Sequence, residues 1–282
     1  MANALRASRL ASLGAALFVV TPFLNAAGQA AEMKSINVEG ASFVVVLSDG
    51  RVLRSRDLIG ATLNIVTGGG GTLRLRIDAV EPDPGDVARS ASASNEVLLH
   101  SFSFQTPDGD WRNPCEAGPD GRRQGFPIAG RERGDATFEP AEPGVFELTC
   151  TAGAQGKCVR FGYHPWERNA DGSSRLNLYN ACIRMVRADY SGDGRGTTRN
   201  GQQIDIYDFA QIQPKADDPA HEFEAGWSPE GAVCVRHVRV KENANLAELE
   251  ASVPRLKGRT GEICTEEFAR GAGALLYNRS PP

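Results

Sequence analysis

No Cys-x-x-Cys pair occurs in these 282 residues, and the four histidines stand apart from one another. That absence argues against a thiol-redox or zinc site. There is no Gly-x-Ser-x-Gly word, the usual local signature of a serine hydrolase nucleophile. Gly68 to Gly71 lacks the lysine and helix start of a phosphate loop and leads instead into an apolar-alternating segment. Basic clusters are missing too. The 31 Lys and Arg, most of them arginine, are scattered among 35 Asp and Glu for a formal charge of −4, whereas nucleic-acid binding needs a basic face to displace counterions. The scattered arginines read as solvated surface. No internal repeat is evident, and nothing in the chain calls for a cofactor.

What is present begins with an export signal. Arg6 and Arg9 precede an apolar stretch from Leu10 to Leu24, and Gly28-Gln29-Ala30 offers small residues for cleavage. Pro22 and Asn25 interrupt the stretch, so it is too short for a spanning helix, which needs about 18 or more apolar residues. No cysteine follows until Cys115, which argues against a lipid-modified terminus. The expectation is residues 1–30 as signal peptide and a mature chain from near Ala31, soluble in the periplasm or outside the cell and not membrane-spanning. All six cysteines, Cys115, Cys150, Cys158, Cys182, Cys234 and Cys264, lie beyond the signal, and an even count in an oxidising compartment reads as three disulfides. Several connectivities are possible. Position makes Cys115 with Cys150, Cys158 with Cys182, and Cys234 with Cys264 the first pairs to test.

Periodicity predicts α+β architecture, with a β-rich region over 31–149 followed by a mixed, disulfide-stapled domain over 150–282. Phe43 to Leu47 reads as a strand, Asp49-Gly50 as a hairpin turn and Arg51-Val52-Leu53 as the return. Leu73, Leu75 and Ile77 alternate with Arg74, Arg76 and Asp78, as a strand with one dry face requires. Pro82 to Asn95 reads as a surface loop. Ser173 or Ser174 can cap a helix carrying Leu176, Tyr179, Cys182, Ile183 and Val186 on one face. Ile204 to Ile206 and Val233 to Val235 read as strands, and Leu246 to Ala251 and Glu262 to Ala269 as helices.

The run Arg187-Ala188-Asp189-Tyr190-Ser191-Gly192-Asp193-Gly194, with Thr198, Asn200-Gly201 and Ile204-Asp205-Ile206-Tyr207-Asp208, resembles the signature of the ADYC domain, an exported bacterial domain with no known activity. Lys157 to Tyr163 with Pro165-Trp166 resembles its lead-in. Phe223-Glu224-Ala225, Trp227, Gly231 to Val235, Pro254-Arg255-Leu256 and Leu275 to Ser280 resemble its later words. The resemblance implies a structural signature of Asp189, Tyr190, Gly192, Asp193, Gly194, Asp205, Tyr207, Asp208 and Trp227. It also implies that relatives hold cysteines where this chain has Ser191 and Val253, so that one disulfide has been lost here as a pair.

Candidate chemistry is sparse. Asp189, Ser191, Asp193 and Gly194 fall at the first, third, fifth and sixth positions of a calcium loop, but Asn200 stands where that loop wants a bidentate glutamate. A tight turn, in which aspartates accept backbone amides and Arg187 pairs with Asp189, is the favoured reading. Asp205, Asp208, Glu222 and Glu224, near Tyr207 and Trp227, offer carboxylates for a glycosidase pair, though acidic residues at strand ends are ordinary. His100 shares a face with Leu98, Phe102 and Phe104 and reads as a hydrogen-bonded core residue, and His164 falls in a turn. The functional expectation is a non-catalytic exported module that binds or scaffolds an envelope or extracellular ligand. A hydrolase of envelope carbohydrate or peptide acting through Asp205 and Glu224 is the alternative.

Overall fold

A computed structural model describes residues 13–14, 31–87, 96–118, 120–216 and 218–282. The signal peptide expected over 1–30 lies outside them except for Leu13 and Gly14, as does most of the loop expected after Pro82. The chain is α+β and forms two compact units, Met1–Arg131 with Pro140–Ala152, and Glu132–Glu139 with Gly153–Pro282. No helix among the described residues is long and apolar enough to cross a membrane.

In the first unit, β1 (Met33–Glu39), β2 (Ser42–Leu47) and β3 (Val52–Arg54) form an antiparallel sheet, with the Asp49-Gly50 turn between β2 and β3. A second antiparallel sheet runs β4 (Thr62–Thr67), β5 (Thr72–Pro82), β6 (Leu98–Gln105), β7 (Gly125–Ala129) and β8 (Phe146–Cys150), and Leu13–Gly14 pairs between β4 and β8. Leu75 and Ile77 turn into the core with Phe43, Val45, Ile65, Phe102 and Phe146, while Arg74 and Arg76 lie outside over the Trp111 ring. Strand alternation thus sorts the apolar set from the charged one. Cys115 bonds Cys150 at the border of this core.

The second unit carries the signature. Its sheet runs β9 (Asp205–Asp208), β12 (Leu276–Ser280), β10 (Glu222–Ser228) and β11 (Gly231–Val235), all antiparallel, so β9 is an edge. Helix α1 (Ala154–Arg160) is clipped by Cys158–Cys182 to α2 (Leu176–Arg187), which packs on β10, β11 and β12. The amphipathic face expected of α2 is buried at Tyr179, Cys182 and Ile183. Its N-cap is Arg175 rather than a serine, although the Leu176 amide does donate to Ser174 Oγ at 3.2 Å.

A short helix α3 (Leu246–Ser252) forms where the pattern put it, capped by Asn245, whose side chain accepts the Glu248 amide. The expected helix from Glu262 to Ala269 is instead divided. A 3-10 turn over Gly261–Ile263 ends at Cys264, which is held non-helical and bonded to Cys234, and α4 (Glu266–Gly271) restarts with Thr265 Oγ1 accepting the Phe268 amide. Tethering Cys264 to β11 overrides the local helical pattern. Helix α4 covers Tyr207, Val233 and Tyr277.

Candidate functional site

Helix α2 stops because Ala188 turns left-handed, at φ 50°. The chain then folds back through the signature loop around one buried carboxylate. Asp189, fully buried, accepts the amide of Gly192 on Oδ1 at 2.8 Å and that of Gly194 on Oδ2 at 2.9 Å, while Arg184 Nη1 donates to Oδ2 at 2.5 Å. Both glycines have positive φ, +74° and +87°, and a Cβ on Gly192 would lie 1.8 Å from the Glu230 carbonyl oxygen. Only glycine fits there. Arg184 also donates to the carbonyls of Pro229 and Asp135 and to the Asp135 carboxylate, so this one guanidinium ties three segments together.

Asp189 therefore pairs with Arg184 and not with Arg187. The carboxylate turns under the helix end, toward the buried face that carries Arg184, whereas Arg187 donates to the Gly194 carbonyl at 2.6 Å. The side chains of this loop are used as the favoured tight turn requires rather than as a calcium loop. Both Asp189 oxygens are taken up by amides and a guanidinium, and the exposed Asp193 accepts the Arg195 amide at 2.9 Å.

Next to the loop is a second buried pair. Arg239 and Glu224 meet as a fork, Nε to Oε2 at 3.0 Å and Nη2 to Oε1 at 3.0 Å. Such bidentate, charge-assisted bonds are the strong class. Arg239 Nη2 also donates to the Met185 carbonyl at 2.9 Å, so a cation sits at the carbonyl end of α2, where the helix dipole favours it. The Tyr190 hydroxyl donates to Glu224 Oε1 at 2.9 Å and accepts the Arg239 amide at 2.8 Å. Asn278 Nδ2 donates to Glu224 Oε2 at 2.6 Å and accepts Trp227 Nε1 on Oδ1 at 2.7 Å, while the Trp227 and Tyr190 rings stack at 5.2 Å. Burial pushes the Glu224 carboxyl up, but Arg239 outweighs it and holds the group below the usual carboxylate range. Burial and the adjacent carboxylate push the Tyr190 phenol well up. Glu224 is thus a fixed anion and Tyr190 a fixed donor.

The β9 carboxylates do different work. Asp208 accepts the Tyr163 hydroxyl at 2.9 Å and the amides of Ile212 and Gln213, closing a turn. Tyr207 donates to Glu266 at 2.8 Å and stacks on Tyr277 at 5.4 Å. Asp205 is paired in register with Arg279, whereas Glu224 bonds the side chain of Asn278. Neighbouring residues of a strand point to opposite faces, so Asp205 and Glu224 lie on opposite sides of the sheet. The signature residues Asp189, Tyr190, Gly192, Gly194 and Trp227 come together on one side, Asp205 and Tyr207 on the other.

Sequence reasoning missed Arg184, Arg239 and Asn278. Composition groups the two arginines with the solvated majority, yet their exposures are 1% and 7%. Arg184 meets a carboxylate five residues on and Arg239 one fifteen residues back, and in neither case does a local pattern report which arginine the buried carboxylate turns toward. His100 is the buried residue its face implied: one ring nitrogen meets the Leu98 carbonyl at 3.0 Å and the other Ser55 Oγ at 2.8 Å. His164 stacks on Trp166 at 5.0 Å and bonds Glu167. Ser55 and His100 are both completely buried, and Ser55 also accepts the Phe43 amide, so this pair serves the core and reaches no substrate.

Neither the curated proteins nor the solved structures yield a match to this chain. The family model described as the ADYC domain matches residues 55–241, which takes in much of the β-rich half and stops before Pro254-Arg255-Leu256. The buried loop around Asp189 and the neighbouring Glu224–Arg239 pair both fall inside that span, which covers well over half of the sequence, and the chain belongs to the ADYC domain family.

Proposed function

We propose that this is an exported protein, cleaved near Ala31 and soluble in the periplasm or outside the cell, that binds or scaffolds an envelope or extracellular ligand without turning it over. Three disulfides suit an oxidising compartment. The observation that carries the reading is the internal use of the buried centre of the signature: Asp189, Tyr190 and Trp227, with Glu224 beside them, each have their polar atoms engaged within the fold. A general acid or base has to reach a substrate proton. Groups held this way build a scaffold, and the opposed placement of Asp205 and Glu224 weighs against a two-carboxylate hydrolase, which needs both across one cleft.

Saturable co-sedimentation of the mature protein with isolated envelope fractions, with no release of reducing sugar or of new amino groups, is the expected result. Turnover of any such substrate that Asp205→Asn abolishes at an unchanged melting temperature would establish the hydrolase instead.

A further inference from the structure

Three ligand-type side chains converge beside the edge strand β9. Asp205 opens that strand, His221 immediately precedes β10, and Asp218 lies in the turn before it. His221 Nδ1 lies 2.9 Å from Asp205 Oδ2 and 4.0 Å from Asp218 Oδ2, and all three ligand atoms fall within 4.8 Å of one another. His221 is 6% exposed, yet its Nδ1 has no hydrogen-bond partner, and neither has Asp205 Oδ2. The two atoms are close without being aligned to share a proton. A buried ring nitrogen left unsatisfied is costly, and it needs an explanation.

A coordinated ion supplies one. Ligands bound at about 2.1 Å on one metal sit about 3 to 3.5 Å apart, so the separations here need only a small adjustment of the exposed Asp218 side to close around an ion. The turn presents Asp218 correctly: its Oδ1 accepts the Ala220 amide at 2.9 Å, which leaves Oδ2 facing His221. Arg279 positions the loop by donating to the carbonyls of Ala216, Asp218 and His221. Its Nη1 stays 3.9 Å from Asp205 Oδ2, a nearby charge but not a bonded one. Two carboxylates against one guanidinium favour a cation at the cluster.

We propose that Asp205, Asp218 and His221 bind a divalent transition-metal ion. Mixed imidazole and carboxylate donors select zinc-like ions over calcium or magnesium, which take oxygen alone. Asp218 is 45% exposed, so the coordination sphere opens to solvent on that side and retains a position for water or for a ligand group. The rival account is a plain ion pair between a protonated His221 and Asp205, with no metal.

The test is zinc titration of the full mature chain after chelator treatment, followed by calorimetry, with cobalt(II) absorption as a second readout. One equivalent should bind, and cobalt should give an imidazole–carboxylate spectrum. Asp218→Asn, in a half-exposed turn, should keep the metal-free melting temperature and weaken binding by at least the roughly tenfold that even outer-shell changes cost. His221→Gln should abolish it. Failure of the wild type to bind an equivalent at micromolar zinc, or binding undiminished in both variants, would overturn the proposal and leave the ion pair.

Discussion

Asp189 shows how much one buried side chain can organise. Its two oxygens satisfy two loop amides and one arginine, and no water can replace them at zero exposure. Asp189→Ala should therefore lower stability by about 3 kcal/mol, the cost of orphaned buried donors plus a weakened buried charge pair. Arg184 keeps Asp135, which limits the loss. Thermal unfolding of wild type and variant checks it, and an unchanged melting temperature would remove the loop from its structural role.

His100 gives a pH dependence of definite sign. Burial is the main cause that lowers its pKa from 6.5 to about 4, so the folded imidazole stays neutral where the unfolded one takes up a proton. Stability from this residue is complete above about pH 6.5 and falls as pH drops toward 4, by about 3 kcal/mol over the window. Chemical denaturation at pH 7, 5.5 and 4.5 should show a steeper decline for wild type than for His100→Gln. Equal slopes would refute the assignment.

At the scale of elements, the helix-to-strand connection joins parts that sequence displays unequally. The α2 pattern, the Asp49-Gly50 hairpin and the alternation of Leu73 to Ile77 were legible because local period reports which face is buried. The division of the last helix at Cys264 was not, since a disulfide to β11 decides it. The Asp189 turn was legible in outline, through its glycines. Its arginine was not, because Arg187 and Arg184 look alike until the direction of the carboxylate is known.

The Arg255 side chain, two residues beyond Val253, donates to the carbonyls of Tyr190 and Ala232, which brings the Pro254-Arg255-Leu256 segment to the signature loop beside Ser191. Replacing Ser191 and Val253 together with cysteine should form a bond and raise stability by about 2 to 4 kcal/mol. Mass measurement before and after reduction, with melting curves, tests this. A double variant that keeps two alkylatable thiols after oxidation would sink it.

On the scale of the whole molecule, the chain leaves the first unit at Glu132, contributes eight residues to the second and returns at Pro140. Within that short excursion Asp135 meets Arg184, and the Phe138 amide and carbonyl both bond Asn180. The division expected near residue 150 therefore follows the sequence less simply than composition suggested. A strand-sized excursion carries no compositional mark.

The three disulfides join each odd cysteine to the next one along the chain, and none encloses or crosses another. A thiol oxidase that simply pairs cysteines in order of emergence thus arrives at the native set, with no mispaired intermediate that must be reshuffled. On the export route proposed above, accumulation of the native protein should fall sharply in cells lacking such an oxidase and stay nearly level in cells lacking a disulfide isomerase, as non-reducing electrophoresis of alkylated samples would read out. A strong isomerase requirement would mean that the second unit begins to fold before its own cysteines have closed.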